Sequence, residues 1–285
     1  MSTATVVPTR RVFTIGTELR RQASRPRTRI ALAFMVVLPL IVLGAFEFGR
    51  TGGGDNGNPG GAFANLVDVA TAGGPNFALF TLLVSSNFLL VVVFALFFGD
   101  TIASEASWGS LRYLLAIPVP RTRLLGVKLI VSLLYSALAL VLLVGTALLA
   151  GTMRYGWHPL RSNITDQLDP FPAVLRIAGA AGYIGLTLLV VAALAFLLSV
   201  STDAPLGAVG GAVLLQILSS ILNQIDALGS LRNVLPTHFS TAWIGLLSTP
   251  VQVDTMVRGA ISAVIYATVF FGWAFYKFTR KDVVS

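Results

Sequence analysis

The sequence predicts an all-α integral membrane protein with six spanning helices, and three observations carry that prediction. Hydrophobic residues make up 55% of the chain, charged residues only 11%, and the mean hydropathy is +0.81, a composition that leaves too little polar surface for a soluble domain. Six apolar runs, 30–48, 77–98, 126–150, 174–200, 206–224 and 257–278, each approach or exceed the ~20 residues that a helix needs to cross a bilayer. The basic residues gather in every second connection, as they do in multi-pass membrane proteins.

The elements follow in order. Residues 1–29 hold seven arginines and form a basic lead-in to the first run. That run has no small-residue cleavage pattern behind it and is expected to persist as a span rather than act as a signal peptide. Residues 49–76 contain RTGGGDNGNPGGAF, which reads as a flexible glycine-rich connection. The second run leads into the charged segment 99–128, and the third run follows. Residues 151–173, with Trp157, His158, Pro159, Pro170 and Pro172, read as an ordered interfacial loop. The fourth and fifth runs are nearly contiguous. Residues 225–256 have room for one or two short helices dipping into the outer leaflet, with Trp243 and His238 at headgroup depth. The sixth run ends in a basic tail, and six spans leave no room for a second domain, so residues 1–285 form one transmembrane unit.

Orientation follows from charge. Arg10, Arg11, Arg20, Arg21, Arg25, Arg27, Arg29, Arg112, Arg121, Arg123, Lys128, Lys277, Arg280 and Lys281 fall on one side, and Arg50, Arg154, Arg161, Arg176, Arg232 and Arg258 on the other. The positive-inside rule therefore places both termini and the 99–128 segment in the cytoplasm. The even number of spans agrees. The net charge of +8 is accounted for by this arrangement facing anionic headgroups, so nucleic acid is not expected as a partner, whereas membrane lipid is.

Several functions are disfavoured. With no cysteine and only His158 and His238, no thiolate site exists and His158 lacks neighbours for a metal site. Ser, His and Asp residues are scattered over opposite sides of the membrane, so no catalytic set assembles and the chain is not expected to be an enzyme. No GxxxxGK[ST] pattern is present, so the chain binds no nucleotide cofactor of its own by that motif. An ion-coupled secondary transporter is the alternative among carriers. It normally places an ionisable group near the midplane, and the centres of the six runs hold no Asp, Glu, Lys or Arg.

The charged segment carries the sharpest pattern. Glu105, Gly109, Arg112 and Ala116 recur at helical spacing, as do Trp108, Leu111, Leu114 and Leu115, which predicts an amphipathic surface helix over 102–116. Pro118 and Pro120 end it, and Arg121, Arg123 and Lys128 are placed to anchor the third span at lipid phosphates. The order Glu105-x-x-x-Gly109-Ser110-Leu111-Arg112-x-Leu114-Leu115-x-x-Pro118-Val119-x-Arg121, followed by Lys128, closely resembles the signature of type-2 ATP-binding-cassette (ABC) transporter permeases. Ser110, Pro120 and Val127 depart from that family's usual threonine, serine and glycine. Thr17-Glu18-Leu19-Arg20-Arg21 with Arg25 to Arg29 resembles the family's N-terminal cytoplasmic elbow helix, and Phe278-Thr279-Arg280-Lys281-Asp282-Val283 resembles its common ending.

The resemblance implies a permease subunit in the bacterial cytoplasmic membrane, paired with a second permease copy or a homologous one. A separate ABC ATPase dimer, binding ATP and Mg, would dock on a cytoplasmic coupling helix between spans two and three. Coupling falls by resemblance to Glu105, Gly109, Leu111, Arg112, Leu115, Pro118 and Arg121, and Glu105→Lys or Arg112→Glu is expected to uncouple hydrolysis from transport without harming insertion. Export is the direction the resemblance implies, and the apolar, uncharged interior favours a hydrophobic or amphipathic cargo such as a lipid, drug or antibiotic. Gln216, Ser219, Ser220 and Asn223 share one face of the fifth span, and Asn87 lies in the second. Lipid cannot hydrogen-bond these groups, so they either tie helices together or line a pathway.

Overall fold

The structure, a computed structural model, describes residues 14–52, 62–107, 120–161 and 167–280. It is all-helical, and among the described residues the only β pairing is an isolated antiparallel bridge between Leu160 and Leu168. The helices are α1 (Ile15–Ser24), α2 (Pro26–Gly52), α3 (Ala62–Ala70), α4 (Gly74–Ser86), α5 (Leu89–Ser107), α6 (Arg121–Tyr155), α7 (Pro170–Ser201), α8 (Pro205–Asn223) and α9 (Asp254–Arg280). Six of them, α2 and α5 to α9, are long and apolar enough to cross a membrane. Two short 3₁₀ segments, Asp226–Val234 and Ala242–Leu247, join α8 to α9.

Helix starts are set by local chemistry. Thr14 and Thr17 cap α1 reciprocally, each side chain taking the other's backbone N–H. Proline sits in the first turns of α4, α7 and α8, where its missing donor costs nothing. Helix α6 stops at Gly156, whose φ of 81° favours glycine.

Four of the apolar runs, the first, third, fourth and sixth, lie in helices longer than hydropathy alone predicts. The second is divided: α4 ends at Ser86 and α5 begins at Leu89, with a turn at Asn87 and Phe88. Its second half continues to Ser107, so residues 102–107 belong to a spanning helix rather than opening a separate surface helix. Residues 62–70, expected within a flexible connection, form the nine-residue α3, which is too short for a spanning signal. The glycine-rich 53–61 segment lies outside the described residues.

Helices α5 and α7 form the centre of the bundle. In their most apolar windows 78% and 67% of residues are buried, against 22% for α2 and α9 and 17% for α8. Phe98, Phe196 and Phe271 pack as an aromatic triad, with centroids 5.7–6.2 Å apart, joining α5, α7 and α9. Close packing substitutes for the hydrophobic drive that lipid cannot supply. A Cβ on Gly99 would lie 2.8 Å from Val209, and one on Gly151 2.8 Å from Phe77. Other helix glycines are less tightly packed: a Cβ on Gly185 would lie 3.3 Å from Leu140 and one on Gly211 3.2 Å from Leu198, while one on Gly182 would meet nothing within 4 Å.

Candidate functional site

At the end of the bundle that carries α1, here the proximal end, the charged residues converge. Helix α1 is polar on the face it buries: Glu18 and Gln22, one turn apart, are both enclosed. Glu18 can be buried because a cation meets it. Lys128, 1% exposed on α6, donates to Glu18 Oε1 at 2.9 Å, to Glu105 Oε1 at 2.6 Å and to the Thr101 carbonyl at 3.4 Å, which accounts for all three ammonium protons. Arg21 reaches Glu105 Oε1 at 2.9 Å and Arg25 reaches it at 3.5 Å. Arg25 and Arg27 also hold Asp100, at 3.4 and 2.5 Å. Three carboxylates, Glu18 of α1 and Asp100 and Glu105 of α5, thus face four cations, Arg21 of α1, Arg25 at the α1–α2 junction, Arg27 of α2 and Lys128 of α6.

Neutral contacts fix α5 in the same place. Ser132 Oγ donates to the Phe97 carbonyl at 2.9 Å, and the Ile102 and Ala103 N–H groups donate to Ser199 Oγ at 3.0 Å each. Tyr135 donates to the Leu19 carbonyl at 2.8 Å. The proximal ends of α1, α5, α6 and α7 are therefore one hydrogen-bonded block.

This geometry revises two sequence expectations. Glu105 is not on an exposed surface helix; it is fully buried near the end of α5, because its charge is met by Lys128, Arg21 and Arg25. A lysine there would add a buried cation beside those three, so Glu105→Lys is expected to disturb folding as well as any coupling. Lys128, expected at lipid phosphates, is buried in protein instead. Arg121 opens α6 and donates to the Thr279 carbonyl at 3.2 Å, tying α6 to the end of α9. Gly109, Leu111, Arg112, Leu115 and Pro118 lie outside the described residues, as does most of the predicted 102–116 helix.

At the opposite, distal end the contacts are mostly neutral. The polar face of α8 divides between two roles. Ser219 is buried and shares a 2.8 Å hydrogen bond with Thr237, and Asn223 Oδ1 lies 2.8 Å from His238 Nδ1, so these two residues tie α8 to the segment that follows it. Gln216 and Ser220 instead line a cavity of about 50 Å³ together with Asn87 and Ser86 at the α4–α5 break, Thr187 of α7, and Trp243. The break in the second span is what exposes Asn87 there. Trp243, expected at headgroup depth, is only 2% exposed and walls this cavity from the side.

Among the described residues no group of three His, Cys, Asp or Glu side chains is placed to hold a metal. His158 lies 2.9 Å from the Tyr155 carbonyl, a cap on the end of α6.

No curated protein matches the chain. Residues 34–284 match the model of a family described as Protein of unknown function (DUF2705), and the chain belongs to that family.

Proposed function

We propose that this DUF2705 member is the membrane-spanning permease subunit of an ATP-driven transporter whose ATPase is a separate chain. The observation that carries the reading is the buried Glu105–Lys128 pair. These residues bracket the pattern that resembles the type-2 ABC permease signature, and they pair at 2.6 Å inside the proximal block. A cytoplasmic segment held between two fixed helix ends can pass a push from an ATPase into α5 and α6 without dissipating it. Arg112, within that segment, is the residue best placed by the sequence pattern to touch the ATPase.

Cargo would then pass along the uncharged interior, and export of a hydrophobic or amphipathic molecule fits the mostly neutral distal end. An ion-coupled carrier needs a carboxylate free to exchange a proton near the midplane. Glu18, Asp100 and Glu105 are each engaged by a cation. Lys128 lies ten residues, about 15 Å, from the middle of α6.

The test is affinity purification of the tagged chain in mild detergent, with mass spectrometry of what accompanies it and an ATP hydrolysis assay. A stoichiometric ATPase is expected, and Arg112→Glu should leave ATP hydrolysis but abolish its link to transport. A lone chain without an ATPase would return the ion-coupled reading to first place.

A further inference from the structure

The geometry points to a binding site for an anionic phospholipid at the distal end, in a crevice that adjoins the polar cavity and shares Leu83 and Trp243 with it. This crevice, about 200 Å³, runs between α3, α4 and the Ala242–Leu247 segment. Its walls are Leu66, Val69, Leu79, Phe80, Leu83 and Ile244, and its polar side chains are those of Asn76, Arg161 and Trp243. Along α4 the lining runs from Asn76 at the helix start to Leu83, seven residues deeper, a length of about 10 Å. One end is therefore charged and the other is hydrocarbon, the polarity of a lipid with its headgroup at the surface and its chain toward the bilayer centre.

Arg161 is positioned by its backbone and not by its side chain. Asn76, 2% exposed, donates from Nδ2 to the Arg161 carbonyl at 2.6 Å and accepts from the Arg161 N–H at 3.0 Å. The guanidinium is left to solvent, with no acidic partner among the described residues. Other distal arginines are committed: Arg154 pairs with Glu47, Arg232 with Asp226, and Arg176 donates to the Leu246 and Ser248 carbonyls. Arg258 lies on a shallow face of α9. An exposed guanidinium on a residue that lines an apolar crevice, without an acidic partner among the described residues, is complementary to a phosphodiester, which it can engage through two parallel N–H donors. The crevice accepts the first part of an acyl chain against Phe80 and Leu83. Neither element depends on an ATPase partner, so this site stands or falls separately from the transport reading.

The experiment reconstitutes the full chain in phosphatidylcholine nanodiscs containing phosphatidylglycerol and counts retained lipids by native mass spectrometry. The wild type should retain phosphatidylglycerol with about tenfold preference over phosphatidylcholine, the size of one charge-assisted contact. Arg161→Gln should remove the preference, Arg161→Lys should keep part of it, and Val69→Phe, which fills the crevice, should release both lipids. Phosphatidylglycerol with brominated chains should also quench Trp243, read as the emission lost between wild type and Trp243→Phe, a measurement that does not require the Val69 variant to fold. Glycerol phosphate alone should not compete. An unchanged preference in Arg161→Gln, no quenching of Trp243, or full competition by glycerol phosphate would each overturn the site.

Discussion

The two ends of the bundle are held together by different physics. At the proximal end, carboxylates and cations far apart in sequence meet inside the protein: Lys128 pairs with Glu18 and with Glu105. At the distal end, the turn between the two 3₁₀ segments rests on α8 through neutral bonds such as Ser219 to Thr237, and the charged groups pair singly, Arg232 with Asp226 and Arg154 with Glu47. A buried charge network tolerates only one arrangement, because any displacement strands an ion. Neutral bonds can be exchanged at small cost. On the transport reading proposed above, the proximal end would transmit displacement and the distal end would rearrange around a ligand.

The largest effect that tests this contrast is Lys128→Met. Removing the ammonium leaves Glu18 and Glu105 buried with only the arginines beside them, and breaking a buried pair in this way costs about 3–5 kcal/mol. Thermal unfolding of the purified protein should show a large loss in the melting temperature. Adding Glu18→Gln and Glu105→Gln to Lys128→Met should recover much of that loss, since no carboxylate is then stranded. A single variant as mild as the distal ones below would erase the distinction between the two ends.

Next in size is Asn76→Ala, which removes both side-chain bonds to the Arg161 backbone. At ~1 kcal/mol for each neutral bond the loss is about 2 kcal/mol, and it should appear as earlier proteolysis of the 156–161 loop than of the α6 helix. Asn223→Ala, which cuts the contact to His238, should cost about 1 kcal/mol by the same measure. A cost for either that matches Lys128→Met would mean the distal end is as rigid as the proximal one.

How far the sequence carried the fold follows the same division. Six apolar runs were legible because spanning helices are defined by length and hydropathy; five of them each correspond to one long helix, and the second, 77–98, to α4 and the start of α5. The break at Asn87 was hidden, since a turn enclosed in protein leaves the apolar run intact. Glu105 was legible as special but was placed on the surface, because helical spacing alone does not say what covers a charge. A signal for the network did exist: Lys128 lies inside the 126–150 apolar run, where an unpaired ammonium is unaffordable, so a partner was required. Its identity was not readable, because Glu18 is 110 positions away. That Trp243 would be covered by protein was not readable either, as an aromatic near a span end packs equally well against lipid or protein.

The smallest effects on stability separate the two roles on α8. The sequence places Gln216, Ser219, Ser220 and Asn223 on one face and offers that face as either a tie between helices or a pathway wall. The structure assigns Ser219 to a buried bond and leaves Gln216 on the cavity beside Asn87. Ser219→Ala should therefore lower stability by about 1 kcal/mol, because Thr237, itself buried, loses its partner. Gln216→Ala removes a side chain that borders a cavity, so its melting temperature should stay within the scatter of the wild type. If cargo passes this cavity, transport should respond in the opposite order, with Gln216→Ala and Asn87→Ala altering rate or selectivity and Ser219→Ala leaving both unchanged once protein amount is equalised. Equal behaviour of Ser219 and Gln216 in both measurements would mean that the face acts as a unit, and the cavity would lose its claim to a separate function.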